Sequence, residues 1–219
     1  MAPTIGRLVR AVAAVEGLDE GSVKLIARYA REAGFIGQLS TGGGAARMDL
    51  DDAVNLLIAV NGSMLAKEAG EIIEPFGRSV CHSRQICLPH YSFLTEICSK
   101  GRQFGAALGM MMSSMSIIGR DGISDFEKEI ARSLGVDAAN DIYSKVQVGV
   151  TFKRPVVAAE IWVRAVEQRL SESGPLPSGN RELIRGYFGG VHNEDCEVDQ
   201  QISKIITTKT LRAVSKLFE

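Results

Sequence analysis

Lys24, Arg28 and Arg31 fall at i, i+4 and i+7, a spacing that puts all three on one face of a helix. Val23, Ile26, Ala27 and Ala30 form the opposite, apolar stripe. A row of such cations reaches phosphate oxygens, and Arg pairs bidentately with guanine in a major groove. Ser22, near the helix start, suits a phosphate or a base edge. Arg47 follows Gly42-Gly43-Gly44, a tip able to approach a nucleic-acid backbone closely. Arg7 and Arg10 suit flanking phosphates. Solvation alone also explains three cations on one helix face.

Other constellations carry less chemistry. Cys81-His82-x4-Cys87-x2-His90, with Cys98 beyond, gathers soft ligands. Zinc wants four in a tetrahedral array, but this spacing matches no standard finger or ribbon, and buried apolar cysteines account for it. No metal or cofactor is expected. Residues 76–120 carry five cations and one acid, with Tyr91, Phe93 and Phe104 interleaved, which reads as a solvated surface or a second acidic-partner surface. Met110, Met111, Met112 and Met115 read as core or a subunit interface. Trp162 lies opposite Ile161 and Val163, which suits a second buried face and hence a dimer contact, or equally packing under the C-terminal helix. The chain has no Walker A loop, no dinucleotide glycine fingerprint and no G-x-S-x-G elbow, and His192 sits in a polar loop. A binding protein is therefore expected rather than an enzyme.

Composition bounds the partners. The 219 residues hold 25 Lys+Arg against 26 Asp+Glu, with 45% hydrophobic residues, so bulk charge does not draw this protein to nucleic acid. Residues 1–75 carry seven cations and ten acids, whereas residues 76–219 carry 18 and 16. Any nucleic-acid contact therefore depends on a few placed residues. Four cysteines in a chain of this length suggest reduced thiols and a cytoplasmic location. The apolar run after Arg10 is too short for a secretory signal. Gln103–Gly119 is uncharged but contains Gln, Gly and Ser, which predicts a buried core helix rather than a membrane span.

The elements that must position these residues are legible from periodicity. Ile5, Leu8, Val9, Val12 and Val15 predict a helix that Gly17 ends, and Asp19 predicts the N-cap of a second helix stopping at Gly34. Phe35–Ser40 and Ala45–Met48 read as short strands around the glycine tip. A third helix is predicted over Asp49–Val60, and another from Ser63 to Ile73, ending before Pro75. Residues 76–115 read as broken helix, and Ser124-Asp125-Phe126-Glu127 as a capping box. Alternation then predicts strands over Val146–Phe152 and Val157–Val163, turning at Pro155. Leu183–Phe188 and Val198–Ile206 are further strands, and Thr208 is expected to cap a terminal helix reaching Leu217.

The segment from Val12 to Ile26, with Ala13 four residues before Gly17, resembles the helix-turn-helix of bacterial and phage transcription regulators. Glu16 departs from that pattern, which usually places an apolar residue there. The run from Arg31 to Met48 resembles the recognition helix and wing of winged-helix regulators, and Asp49-Leu50-Asp51-Asp52 resembles the helix start after a wing. The resemblance covers the first third of the chain. It implies an N-terminal winged helix-turn-helix over 1–75; the periodicity beyond it predicts a helical middle over 76–139 and, for self-association or partner contact, a C-terminal antiparallel sheet with a terminal helix over 140–219, an α+β protein in all. The resemblance further implies double-stranded DNA as partner, read by Lys24, Arg28, Arg31, Arg47, Ser22 and Arg7. A homodimer is expected, because twofold pairing reads two half-sites. The alternative is a protein-interaction module, such as a phage or host-defence inhibitor, using the helix pair as scaffold.

Overall fold

The computed structural model describes residues 2–37, 46–86, 92–116, 128, 146–167, 170–171, 174–175, 179–189 and 202–218. Helices α1 (Ile5–Glu16) and α2 (Glu20–Glu32) lead to α3 (Leu50–Gly62). A 3-10 turn (Ala66–Glu68) precedes α4 (Ala69–Arg78), strand β1 (Cys81–Ile86), α5 (Ser92–Ile97) and α6 (Phe104–Ser116). The second half supplies β2 (Val146–Arg154), β3 (Ala158–Glu167), β4 (Leu170–Ser171), β5 (Gly174–Pro175), β6 (Gly179–Gly189) and β7 (Ile202–Thr207). Helix α7 (Thr208–Ser215) follows. The architecture is α+β, with one five-stranded antiparallel sheet in the order β1-β6-β3-β2-β7.

Helix α3 is the hub. Its stretch from Asp52 to Gly62 is buried apart from half-buried Asn55, as expected of a helix apolar round most of its circumference. It starts with a reciprocal cap: the Asp52 N–H donates to Asp49 Oδ1 (2.8 Å) and the Asp49 N–H to Asp52 Oδ2 (2.9 Å). Asp52 Oδ1 also accepts from the Gly37 N–H (2.7 Å), and Asn55 Nδ2 donates to the Phe35 carbonyl (2.8 Å). These bonds seat the α2–α3 connection on α3.

Residues of both halves share one core. Its members run from Leu8 and Val23 through Leu57, Phe76 and Met111 to Val150, Ile161, Leu211 and Val214. Four rings knit the layers: Phe104 meets Phe152 at 5.5 Å and Phe188 at 5.4 Å, and Phe76 meets Phe152 at 5.6 Å, all edge-on. They join α4 and α6 to β2 and β6. Strand alternation sends Val148, Val150 and Phe152 inward opposite Val163, Ile161 and Ala159. On the reverse face Gly149 lies opposite Trp162 and Thr151 opposite Glu160.

The predicted helical stretch after position 76 is interrupted by a strand. Cys81–Ile86 pairs with β6 at the sheet edge, and its polar residues 82–85 are exposed. An edge strand with a solvated face carries little apolar alternation, so its signal is weak. Pro75 lies inside α4 rather than ending it; it forgoes one backbone N–H bond in a helix anchored by buried Ala69, Ile72, Ile73 and Phe76. Phe35 and Ile36 form bends instead of a strand, because the Phe35 N–H returns to the Ala30 carbonyl (3.0 Å). Arg47 makes a single antiparallel bridge with Thr4. The glycine tip, Ser124–Glu127, Cys87, His90 and His192 lie outside the described residues. Among the described residues no helix is long and apolar enough to cross a membrane.

Candidate nucleic-acid interface

Helix α1 buries Leu8, Val9, Val12 and Ala13 and leaves Arg7 and Arg10 exposed. It ends at Gly17, whose φ of 67° lies in the left-handed region that favours glycine. The Leu18 N–H then donates to the Ala13 carbonyl (2.9 Å), closing the helix end. Asp19 caps α2 by accepting from the Ser22 N–H at 2.8 Å. A three-residue turn therefore fixes the crossing of the two helices. Helix α2 packs Val23, Ala27 and Ala30 inward, against α1, α3 and α4.

Between α1 and α2 lies a half-open groove of about 740 Å³. Its floor includes Ile5, Val9, Leu25 and Ala27, and its walls carry Arg10, Lys24, Arg28 and Arg31, with Glu20 at one end. Three of the expected contact residues, Lys24, Arg28 and Arg31, thus come together as their spacing requires. Arg10, assigned only to flanking phosphates by the sequence, joins them across the groove. No spacing within α1 gives this placement, because it depends on how α1 and α2 cross.

The individual environments differ. Arg28 Nε contacts Glu32 Oε1 at 2.7 Å, with both side chains exposed, and this bond holds the guanidinium's pKa above its ordinary value. An exposed i,i+4 pair is screened by water and yields readily to a phosphate. Arg10 Nε donates to the Gly6 carbonyl one turn back (3.2 Å). The Ser22 hydroxyl is turned to Asp19 Oδ2 (3.1 Å), so it serves the cap and is not part of the groove wall. Arg47 stands exposed beside the start of α1, through its bridge to Thr4 and the Met48 N–H to the Pro3 carbonyl (2.8 Å). Arg7 and Arg47 therefore flank the groove without lining it.

Cys81 and Cys98 are buried free thiols. The Cys81 thiol faces the Cys98 carbonyl (3.3 Å), and burial pushes Cys98 up to about 12 and raises Cys81. Both are apolar core groups rather than ready metal ligands. Among the described residues no group of three or more His, Cys, Asp or Glu side chains is placed to hold a metal ion.

Comparison with known protein families, with curated proteins and with solved structures finds no match to this chain.

Proposed function

We propose that this chain is a sequence-specific double-stranded DNA-binding regulator of transcription, acting as a homodimer, with α1 and α2 as its helix-turn-helix. The observation that carries the reading is the convergence of Arg10, Lys24, Arg28 and Arg31 on one groove whose lining holds a single acid, Glu20. In this reading Lys24, Arg28 and Arg31 meet base edges and phosphates, while Arg7, Arg10 and Arg47 meet flanking phosphates. The chain binds and does not catalyse.

A second reading rests on the apolar floor. Ile5, Val9 and the exposed Leu25, with exposed Leu18 nearby, suit the apolar face of an acidic partner helix. Salt separates the two. Selection from a random duplex library, followed by fluorescence anisotropy on the enriched sequence, should give affinity that falls steeply as salt rises. The triple change Lys24→Ala, Arg28→Ala, Arg31→Ala should lower that affinity about 100-fold or more, at roughly 1–3 kcal/mol for each base contact, and flatten the salt slope. No enrichment, or unchanged affinity in a folded triple variant, rejects the DNA reading.

A further inference from the structure

The two walls of the cationic groove are held by different parts of the molecule. Helix α2 leans on α3, α4 and the 3-10 turn, whereas α1 leans on α2 and on the C-terminal helix α7. Helix α1, one wall of the groove, is thus held between α2 and α7. Three side chains fix the position of α7, and each reaches a different element. Lys204 Nζ on β7 donates to the Val60 and Ser63 carbonyls at the end of α3 (3.0 Å each), where a cation also complements the helix dipole. The Thr208 hydroxyl accepts from the Val148 N–H on β2 (3.0 Å) and lies 3.2 Å from the Val148 carbonyl. The buried Thr210 hydroxyl donates to Glu16 Oε1 (2.5 Å) at the last residue of α1.

Glu16 is the residue at which the sequence departs from the helix-turn-helix pattern, and this contact gives the departure a use. An apolar residue there would pack on α7 with little directional preference. A carboxylate bonded to Thr210 fixes both distance and direction. It does so directly before Gly17, the left-handed cap that ends α1. Burial raises the Glu16 pKa, opposed by the Thr210 hydrogen bond and by the Lys204 charge.

We infer that Glu16 is a positioning residue of the groove: through Thr210 it transmits the placement of the β7–α7 segment to α1, and so sets the spacing of Arg10 from Lys24, Arg28 and Arg31. The inference rests on the DNA reading for its consequence, but its mechanical part stands without DNA. A structural filler at position 16 would be replaceable by any well-packed side chain. A positioning residue requires its acceptor oxygen.

The test compares Thr210→Val, which keeps shape and removes the donor, with Glu16→Leu and Glu16→Gln in the full chain. Amide hydrogen exchange of the α1 peptide and affinity for the enriched duplex are the two readouts. Thr210→Val and Glu16→Leu should each speed exchange in α1 about tenfold and weaken duplex binding about tenfold, while Glu16→Gln, which keeps an acceptor, stays within about twofold of the parent on both (about 1.4 kcal/mol per tenfold change). Unchanged α1 exchange in Thr210→Val, or Glu16→Gln behaving like Glu16→Leu, overturns the inference. If the parent binds no duplex, the DNA reading falls, and the exchange arm alone decides whether Glu16 positions α1.

Discussion

The groove between α1 and α2 and the outer face of the sheet use the same residue types to opposite ends. In the groove, Lys24 and Arg28 are exposed, and the ion pair of Arg28 with Glu32 is on the surface. On the sheet, Lys153 and Arg185 converge on Glu160, whose side chain is only 8% exposed; Arg185 Nη1 lies 2.8 Å from Glu160 Oε2, and Lys153 Nζ bonds the other oxygen. Beside them Trp162 lies over Gly149, donates to Thr151 Oγ1 (3.1 Å) and carries the Arg164 guanidinium 4.4 Å above its ring. Exposed charges cost little to leave unpaired and so remain available to a ligand. Charges grouped round a buried carboxylate are committed to the fold, because the carboxylate has left water and depends on them for its partners. Burial, more than residue type, separates a contact surface from a structural network.

The largest effect that would break this contrast lies on the sheet. Glu160→Ala leaves Lys153 and Arg185 facing each other without the carboxylate, and should cost about 3–5 kcal/mol, read as a lower urea midpoint. A loss no larger than that of an exposed pair would mean that the network is solvated. Next comes Gly149→Ala. A Cβ at position 149 would meet the Trp162 ring at 2.2 Å, so the indole must leave its seat, at about 1–3 kcal/mol; Trp162 fluorescence should shift with it. Smaller still is the effect of Lys24→Ala with Arg28→Ala on stability. The urea midpoint should stay that of the parent, since only an exposed pair is lost. A larger destabilisation would place these cations with the sheet network and remove the contrast.

Sequence reasoning reached the helices and the last strands because their apolar periods are clean. The stripe from Ile5 to Val15, the cap at Asp19 and the alternation from Val146 to Phe152 all appear where expected. It missed β1 because Cys81–Ile86 has an apolar side only at its ends and is a strand through pairing with β6, a partner about a hundred residues away. Likewise Lys153, Glu160 and Arg185 come from three strands, and no spacing within one segment reveals that they meet. In the candidate site, the row Lys24, Arg28 and Arg31 was legible from helical geometry alone. The place of Arg10 opposite it was not, because it depends on the crossing of α1 and α2. Thr208 was expected as a cap, yet Thr207 occupies that position and the Thr208 hydroxyl bonds to Val148 instead, a tie that again depends on a distant strand.

The smallest effect concerns the seam between the two regions, where Glu16 of α1 meets Thr210 of α7. Burial is the largest influence on Glu16 and raises its pKa above the ordinary 4.5, while Thr210 and Lys204 pull the other way. A carboxyl group whose pKa is higher folded than unfolded favours the native state most when protonated, and that contribution is lost as pH rises through the folded value. Glu16→Gln carries no such charge at any pH. The variant should therefore melt slightly above the parent near neutral pH, and the gap should close on acidification toward 4.5. Thermal melts of both proteins across this window measure it. A gap that widens on acidification would mean that Lys204 and Thr210 outweigh burial, making Glu16 a member of a paired charge network like that of Glu160 and not a desolvated hinge between the groove and the C-terminal segment.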